Sequence, residues 1–314
     1  MTFDLDAELV PFAALLPSLD LSDVGKMRGI LRQMAAQKKE FISDVALTVE
    51  DKLVPNTEDS VDVTVRSYRP TDVDSFLPGI LYMHGGGYVS GDLNMSDAWC
   101  RRLAADVGAL VVSVDYRLAP ENVFPAALND CYAVLEWMAT NGNELGLDVT
   151  RIAVAGDSAG ANLATATAIR ARDNNGPQLC FQSLSIPGLD DRQTSVSVKS
   201  GTHTPLWTAN MSAQSWAYYL GASYTPGSED VPPLAAPARV EDLSNLPPAF
   251  VVACDFDPLR DEALEYGMRL AQANVRTEMH LYPGTFHSSR MFEGTQVSQR
   301  MINDCVGALQ RAFS

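Results

Sequence analysis

Basic residues are scarce in this chain. Only 23 Lys and Arg stand against 39 Asp and Glu, which leaves a formal net charge of −16 over 314 residues. So acidic a surface repels phosphate backbones and anionic headgroups, which argues against nucleic-acid or membrane-surface partners. Cysteine is sparse as well. Cys100, Cys131, Cys180, Cys254 and Cys305 are odd in number and no two form a CxxC pair. That spacing speaks for reduced thiols rather than a disulfide frame or a zinc site. No Lys or Arg precedes Lys26, so the basic start of a secretory signal is missing. No apolar run approaches the ~20 residues of a membrane span. The cytoplasm is the expected location. Internal repeats and low-complexity stretches are absent, and 46% hydrophobic residues suit an ordinary globular chain with a sizeable core.

What is present is an alternation of short apolar runs and helical patterns. Residues 22–40 carry Val24, Met27, Ile30, Leu31 and Met34 at helical spacing, with Ser22 as a candidate cap. Residues 45–51 and 61–70 alternate apolar and polar, as half-buried antiparallel strands do. The runs 79–83, 109–114, 151–156, 181–186 and 249–254 suit parallel strands covered on both faces, and 277–282 reads as a last strand. Helical stretches near 95–107, 125–141, 159–173, 258–273 and 296–313 separate them. This alternation predicts an α/β fold in which ligands bind beyond the C-terminal strand ends.

Residues 187–226 break the rhythm. They hold no strand and are rich in Trp, Tyr and Met, with a helix expected over Thr208–Leu220. Such an aromatic stripe suits core packing. The alternative is a lid whose apolar side walls a pocket, together with residues 1–40. On that second reading Trp207, Met211 and Phe286 are candidate pocket residues.

Two motifs carry chemistry. In AGDSAGANLA (155–164), Ser158 lies between Gly156 and Gly160, where a strand gives way to a small-residue helix. A nucleophilic serine on so tight a turn needs neighbours without bulk, and the following helix aims its N–H groups at the same place. Alone this pattern is weak; chance produces G-x-S-x-G in about a tenth of chains this long. The second motif is His84-Gly85-Gly86-Gly87, at the end of another expected strand. Glycines there let the backbone approach a ligand and point N–H groups at an oxygen that gains charge during acyl transfer. Gly86, Gly87 and Ala159 are the expected oxyanion donors, with His84, Gly85 and Asp157 as support.

A serine nucleophile needs a base, and the chain has four histidines. His84 is read as bracing the glycine loop. His203 falls in the 187–226 stretch, and His280 sits within a strand on the face of Glu278 and Tyr282. His287 alone follows the last strand in a loop at its C-terminal end, within reach of Ser158. Asp257 follows a buried strand and gives the chain order Ser…Asp…His. Pro258 suits the first turn of a helix, which makes Asp257 a candidate N-cap too.

With these residues in hand, the chain resembles the hormone-sensitive-lipase-like esterases, or bacterial family IV, of the α/β-hydrolase fold. The likeness rests on HGGG at 84–87, DYRLAPE at 115–121, FPAALND at 124–130, GDSAG at 156–160 and DPLRDE at 257–262. It implies a mostly parallel eight-stranded sheet flanked by helices, with a helical cap. Residues 1–44 and 187–226 would form the cap, and 45–186 with 227–314 the core. It also implies Ser158 as nucleophile, His287 as base and Asp257 as its orienter, with Arg117 and Glu121 as ion-paired scaffold. The expected substrate is a short to medium acyl ester, no metal or cofactor is needed, and dimerisation would run through the sheet edge near 277–282. An amide, carbamate or lactone hydrolase, or a non-catalytic binding protein of the same fold, are the other readings. One departure stands out: the family commonly has His-Gly-Phe at the base, and here the run is Phe286-His287-Ser288-Ser289, which alters the alcohol side of the pocket.

Overall fold

The computed structural model describes residues 3–17, 19–36, 41–71, 73 and 75–314. In chain order the elements are α1 (Val10–Leu15), α2 (Val24–Ala36), β1 (Leu47–Asn56), β2 (Val61–Pro70), β3 (Leu77–Met83), α3 (Leu93–Val107), β4 (Leu110–Val114), α4 (Ala126–Thr140), α5 (Gly142–Leu145) and β5 (Leu147–Asp157). There follow α6 (Ala159–Asp173), β6 (Phe181–Ser185), α7 (Val196–Ser200), α8 (Ala209–Leu220), β7 (Ala249–Phe256), α9 (Arg260–Gln272), β8 (Thr277–Phe286) and α10 (Gln296–Phe313). The eight strands form one sheet in the order β1-β2-β4-β3-β5-β6-β7-β8. β1/β2 and β2/β4 pair antiparallel; every later pair is parallel.

Strand alternation sorts the core into two layers. In β3, Leu81 and Met83 join one apolar cluster, whereas Ile80 and Tyr82 join the other. β5 divides the same way, with Ile152 and Val154 on one face and Ala153 and Ala155 on the opposite one. Both faces are therefore dry, which is why the central strands read as unbroken apolar runs. The first layer is closed by α4, α6 and α9, the second by α3 and α10. All eight expected strands are present, β8 running four residues further than anticipated.

Two helix starts differ from expectation. At α2 the cap is Asp23, whose Oδ1 accepts the Lys26 N–H at 2.8 Å; Ser22 bonds Asp20 instead. A carboxylate one position nearer the helix aligns with the amide of its third residue, Lys26, whereas Ser22 bonds Asp20. The expected extension of that helix over 37–40 lies outside the described residues. α9 begins at Arg260 rather than Pro258, because Asp257–Leu259 form a separate turn before it. Among the described residues no helix is long and apolar enough to cross a membrane, and no cluster of His, Cys, Asp or Glu could hold a metal ion.

The N-terminal helices and the 187–226 stretch meet. Leu21 and Met27 share a small apolar cluster with Val89, Ala119, Trp207, Met211 and Leu259. Arg28 clamps that contact: its guanidinium donates to Val89 O (2.6 Å) and Ala119 O (2.9 Å) and pairs with both Glu121 oxygens at 2.8 Å. Arg117 belongs to a different ion pair, with Asp59 and the fully buried Asp130. Asp130 also accepts from Asn56 Nδ2 (2.9 Å) and the Arg117 amide (2.9 Å). Asp130→Ala would leave the Arg117 amide without this acceptor and Asn56 Nδ2 with only its 3.5 Å contact to Asp59, so a loss of about 3 kcal/mol in unfolding free energy is expected, read as a lower urea midpoint at unchanged slope.

Candidate active site

The site is built on the turn between β5 and α6. Ser158 has φ 55° and ψ −117°, a conformation that L-residues avoid. Its amide donates to Ser185 O at 2.8 Å, tying the turn to β6. Neighbours without side chains make the turn feasible: a Cβ on Gly156 would collide with the Gly160 carbonyl, and one on Gly160 with the carbonyls of Met83 and His84. The Ser158 hydroxyl does not cap α6. It is free for another partner.

That partner is His287. Its Nε2 lies 3.1 Å from Ser158 Oγ, and its Nδ1 lies 2.7 Å from Asp257 Oδ2. A carboxylate only accepts, so Nδ1 carries the proton and Nε2 is left to accept the serine O–H. Asp257 uses its other oxygen to accept the Leu259 N–H at 2.9 Å. One side chain thus accepts from a turn amide and from an imidazole; it does not serve as the N-cap of α9, whose cap position is Leu259. The three residues are nearly sealed from solvent, at 6%, 4% and 2% exposure for Ser158, His287 and Asp257.

The glycine loop lies directly against this turn. An added Cβ on Gly85 would sit 3.1 Å from Asp157 O and 3.6 Å from Ser158 Cβ. Gly86 and Gly87 have φ of 134° and 60°, which only glycine adopts freely. Among the described residues, the N–H groups of Gly86, Gly87 and Ala159 donate to no backbone carbonyl. Their opposite carbonyls are held. His84 Nδ1 contacts Gly85 O at 2.9 Å, and Gly86 O accepts from the Ser90 hydroxyl (2.8 Å) and amide (3.0 Å). Burial pushes the His84 imidazole down to about 4, so it is neutral and donates from Nδ1 while stacking on Tyr116 at 4.2 Å.

Asp157 reaches away from Ser158. Its Oδ2 accepts from Tyr82 OH (2.6 Å) and Arg290 Nη2 (2.6 Å), and the Arg290 guanidinium lies 3.7 Å above the Trp99 ring. Arg290 follows His287 by three residues, so this ion pair ties the base's loop to the serine's turn. An arginine alone after a histidine gave no sign of that role in the sequence. The Ser288-Ser289 departure also has a structural reading. Ser288 takes the left-handed conformation (φ 64°) that glycine suits, and the Ser289 hydroxyl closes the turn by accepting Phe286 N–H (2.7 Å) and donating to Phe286 O (2.6 Å).

The pocket candidates separate. Trp207 stacks on His287 with ring centres 5.7 Å apart, its indole N–H fixed by Ser212 Oγ at 2.8 Å. Met211 packs in the same apolar cluster. Phe286 does not belong with them: it is fully buried in the layer of Phe250, Tyr282 and Leu309, with Phe292 5.8 Å away. It occupies the last position of β8, where strand alternation turns its side chain into the core. His280 stays on β8, between Glu278 (3.0 Å), Asp304 (3.2 Å) and Tyr282 (2.9 Å). His203 is exposed.

Known proteins resemble this chain over most of its length. The family described as alpha/beta hydrolase fold matches residues 80–291. Esterase LipI of Mycobacterium tuberculosis is 43% identical over 203 residues, which span 65% of this chain and 62% of that one, just under two thirds of its length. Carboxylesterase NlhH of Mycobacterium tuberculosis is 39% identical over 241 residues, covering 77% of this chain and 75% of that one. A solved structure titled bacterial heroin esterase superposes with a TM-score of 0.95 at 39% identity, covering 99% of this chain and 98% of the other.

A methyl group at Gly86 would collide with the Ser90 carbonyl and meet a φ closed to alanine. Gly86→Ala is therefore expected to lower kcat/KM by at least about 100-fold, the scale of a lost oxyanion donor, with the circular dichroism spectrum preserved.

Proposed function

The chain belongs to the α/β-hydrolase-fold family, among its hormone-sensitive-lipase-like esterases, and is a carboxylic-ester hydrolase; from that premise we propose that Ser158 is the nucleophile, His287 the general base and Asp257 its orienter. The observation that carries this reading is the buried, unbroken hydrogen-bond chain from Ser158 Oγ through both imidazole nitrogens to Asp257. Ser158 Oγ attacks the acyl carbon as His287 Nε2 takes its proton. The carbonyl oxygen becomes an oxyanion held by the Gly86, Gly87 and Ala159 amides, each worth about 3 kcal/mol in a dry site. His287 then gives the proton to the departing alcohol. Water enters by the same route, and the acid is released from the acyl-enzyme.

The proposed cap consists of residues 1–44 and 187–226, over a core of 45–186 and 227–314. Trp207 supports a preference for short to medium acyl groups. Its ring faces His287, and its Cη2 would lie 2.6 Å from a Cβ on Gly87, so the indole narrows the space above the nucleophile.

The test is kinetic. Ser158→Ala and His287→Ala are each expected to lose at least about 10⁴-fold in kcat, whereas His280→Ala keeps most activity. In a panel of p-nitrophenyl esters, kcat/KM should fall as the acyl chain lengthens, and matched anilides should turn over far more slowly than esters. An active His287→Ala beside a dead His280→Ala would contradict the assignment of the base.

The proposed dimer uses the β8 edge. Among the described residues β8 pairs only with β7, and Met279 and Leu281 on it are 37% and 45% exposed. Light scattering should report a dimer for the native chain and a monomer for Leu281→Glu. A native monomer would remove the proposal.

A further inference from the structure

The oxyanion loop is held by more than its own residues. Gly87 O accepts a hydrogen bond from Ser215 Oγ at 2.7 Å, and among the described residues this is its one partner. Ser215 lies on α8, 128 residues further along the chain, and is 3% exposed. The same helix grips the next residue: Tyr219, one turn on, stacks on the Tyr88 ring at 3.9 Å, and Trp216 tilts against it at 5.5 Å. Tyr88 in turn donates to Gly188 O at 3.2 Å, in the segment after β6.

The contrast with the neighbouring peptide units matters. The carbonyls opposite the Gly86 and Gly87 amides are fixed from within the loop, by His84 and Ser90. The peptide joining Gly87 to Tyr88 has no such local clamp. It follows a glycine at φ 60°, where the backbone has no side chain to limit its rotation. The Gly87 N–H itself lies in the preceding peptide, held at its carbonyl end by Ser90 on Gly86 O; the other end of that peptide is the Gly87 Cα, which shifts if the Gly87–Tyr88 peptide shifts. The only described group that fixes it comes from the cap.

We propose that Ser215 is a positioning residue for the oxyanion hole, through which docking of α8 on the core holds the Gly87 Cα and with it the placement of the Gly87 N–H. This rests on the reading of Gly86, Gly87 and Ala159 as oxyanion donors. It gives the helical insertion a role in the chemical step as well as in shaping the pocket. The effect of the Ser215 hydroxyl is largest when the oxygen carries charge, because a misaligned donor costs most against an anion in a dry site.

The test compares the ground state with a tetrahedral adduct on the full chain. A trifluoromethyl ketone bearing a short acyl group accepts Ser158 Oγ at its carbonyl carbon. The C=O π pair moves to the oxygen, the serine proton passes to His287 Nε2, and the hemiketal oxyanion enters the hole. The matched methyl ketone reports ground-state binding. Ser215→Ala is expected to lower kcat about 10- to 100-fold with KM changed less than about threefold. It should weaken the trifluoromethyl ketone by the same factor and leave the methyl ketone alone. Ser215→Cys, whose thiol is a weaker donor, should fall between, and it carries the same readouts if the alanine variant does not fold. A purely structural serine would lower the melting temperature and affect both ketones equally. That result, or kcat within about twofold of the native value, overturns the proposal. A native enzyme that forms no hemiketal by fluorine NMR overturns the reading of the site itself, which is a different outcome from a native hemiketal that Ser215→Ala leaves untouched.

Discussion

Everything at this site depends on holding one serine in a backbone conformation that costs about 1–3 kcal/mol. Ser158 sits at φ 55° and ψ −117°, and the strain persists because the surroundings leave no alternative. β5 ends against β3 and β6, the Ser158 amide is bound to Ser185 O, and α6 packs so closely that Gly160 has no room for a Cβ beside Met83 and His84. α6 is buried over nearly its whole length, and over Ala159–Ala168 every residue but Leu163 is Ala, Gly, Asn or Thr, which is what such proximity requires. The reward is a hydroxyl that points away from its own helix, toward an imidazole and beneath a set of main-chain amides.

The sheet and the helices packed over the site contribute different things. The sheet brings Ser158, Asp257 and His287 from the ends of β5, β7 and β8, strands that stand close together in one parallel array. Parallel strands aim their C-terminal ends the same way, so residues far apart in sequence converge without long loops. α2 and the 187–226 stretch add cover and alignment. Trp207 covers His287, Arg28 locks α2 to the core through Glu121, and Ser215 reaches down to Gly87 O. Charge that develops beneath such a cover interacts with fixed dipoles rather than with mobile water, and that strengthens each hydrogen bond to the transition state.

The sheet was legible because its central strands are covered on both faces and so appear as plain apolar runs. Ser158, Asp257 and His287 stood out because each follows such a run, and because glycine patterns mark the two places where backbone must approach backbone. Other contributions left no local mark. Ser215 is one serine on a mixed helix, and Arg290 one arginine in a loop; only the fold shows that they face Gly87 and Asp157. Phe286 was misread because adjacency to His287 in sequence does not mean adjacency in space: successive positions at a strand end face opposite ways. Asp23 rather than Ser22 caps α2 because both residue types are good caps, and only the register of the first turn decides between them.

The central claim is geometric, that hydroxyl, imidazole, carboxylate and amides meet around one reacting atom. A crystal structure of the chain after reaction with a small alkyl fluorophosphonate tests it most directly. The account predicts a bond from phosphorus to Ser158 Oγ, with the phosphoryl oxygen within hydrogen-bond distance of the Gly86, Gly87 and Ala159 nitrogens and His287 Nε2 facing the ester oxygen. Phosphorus on another residue, or a phosphoryl oxygen turned away from all three amides, would contradict it.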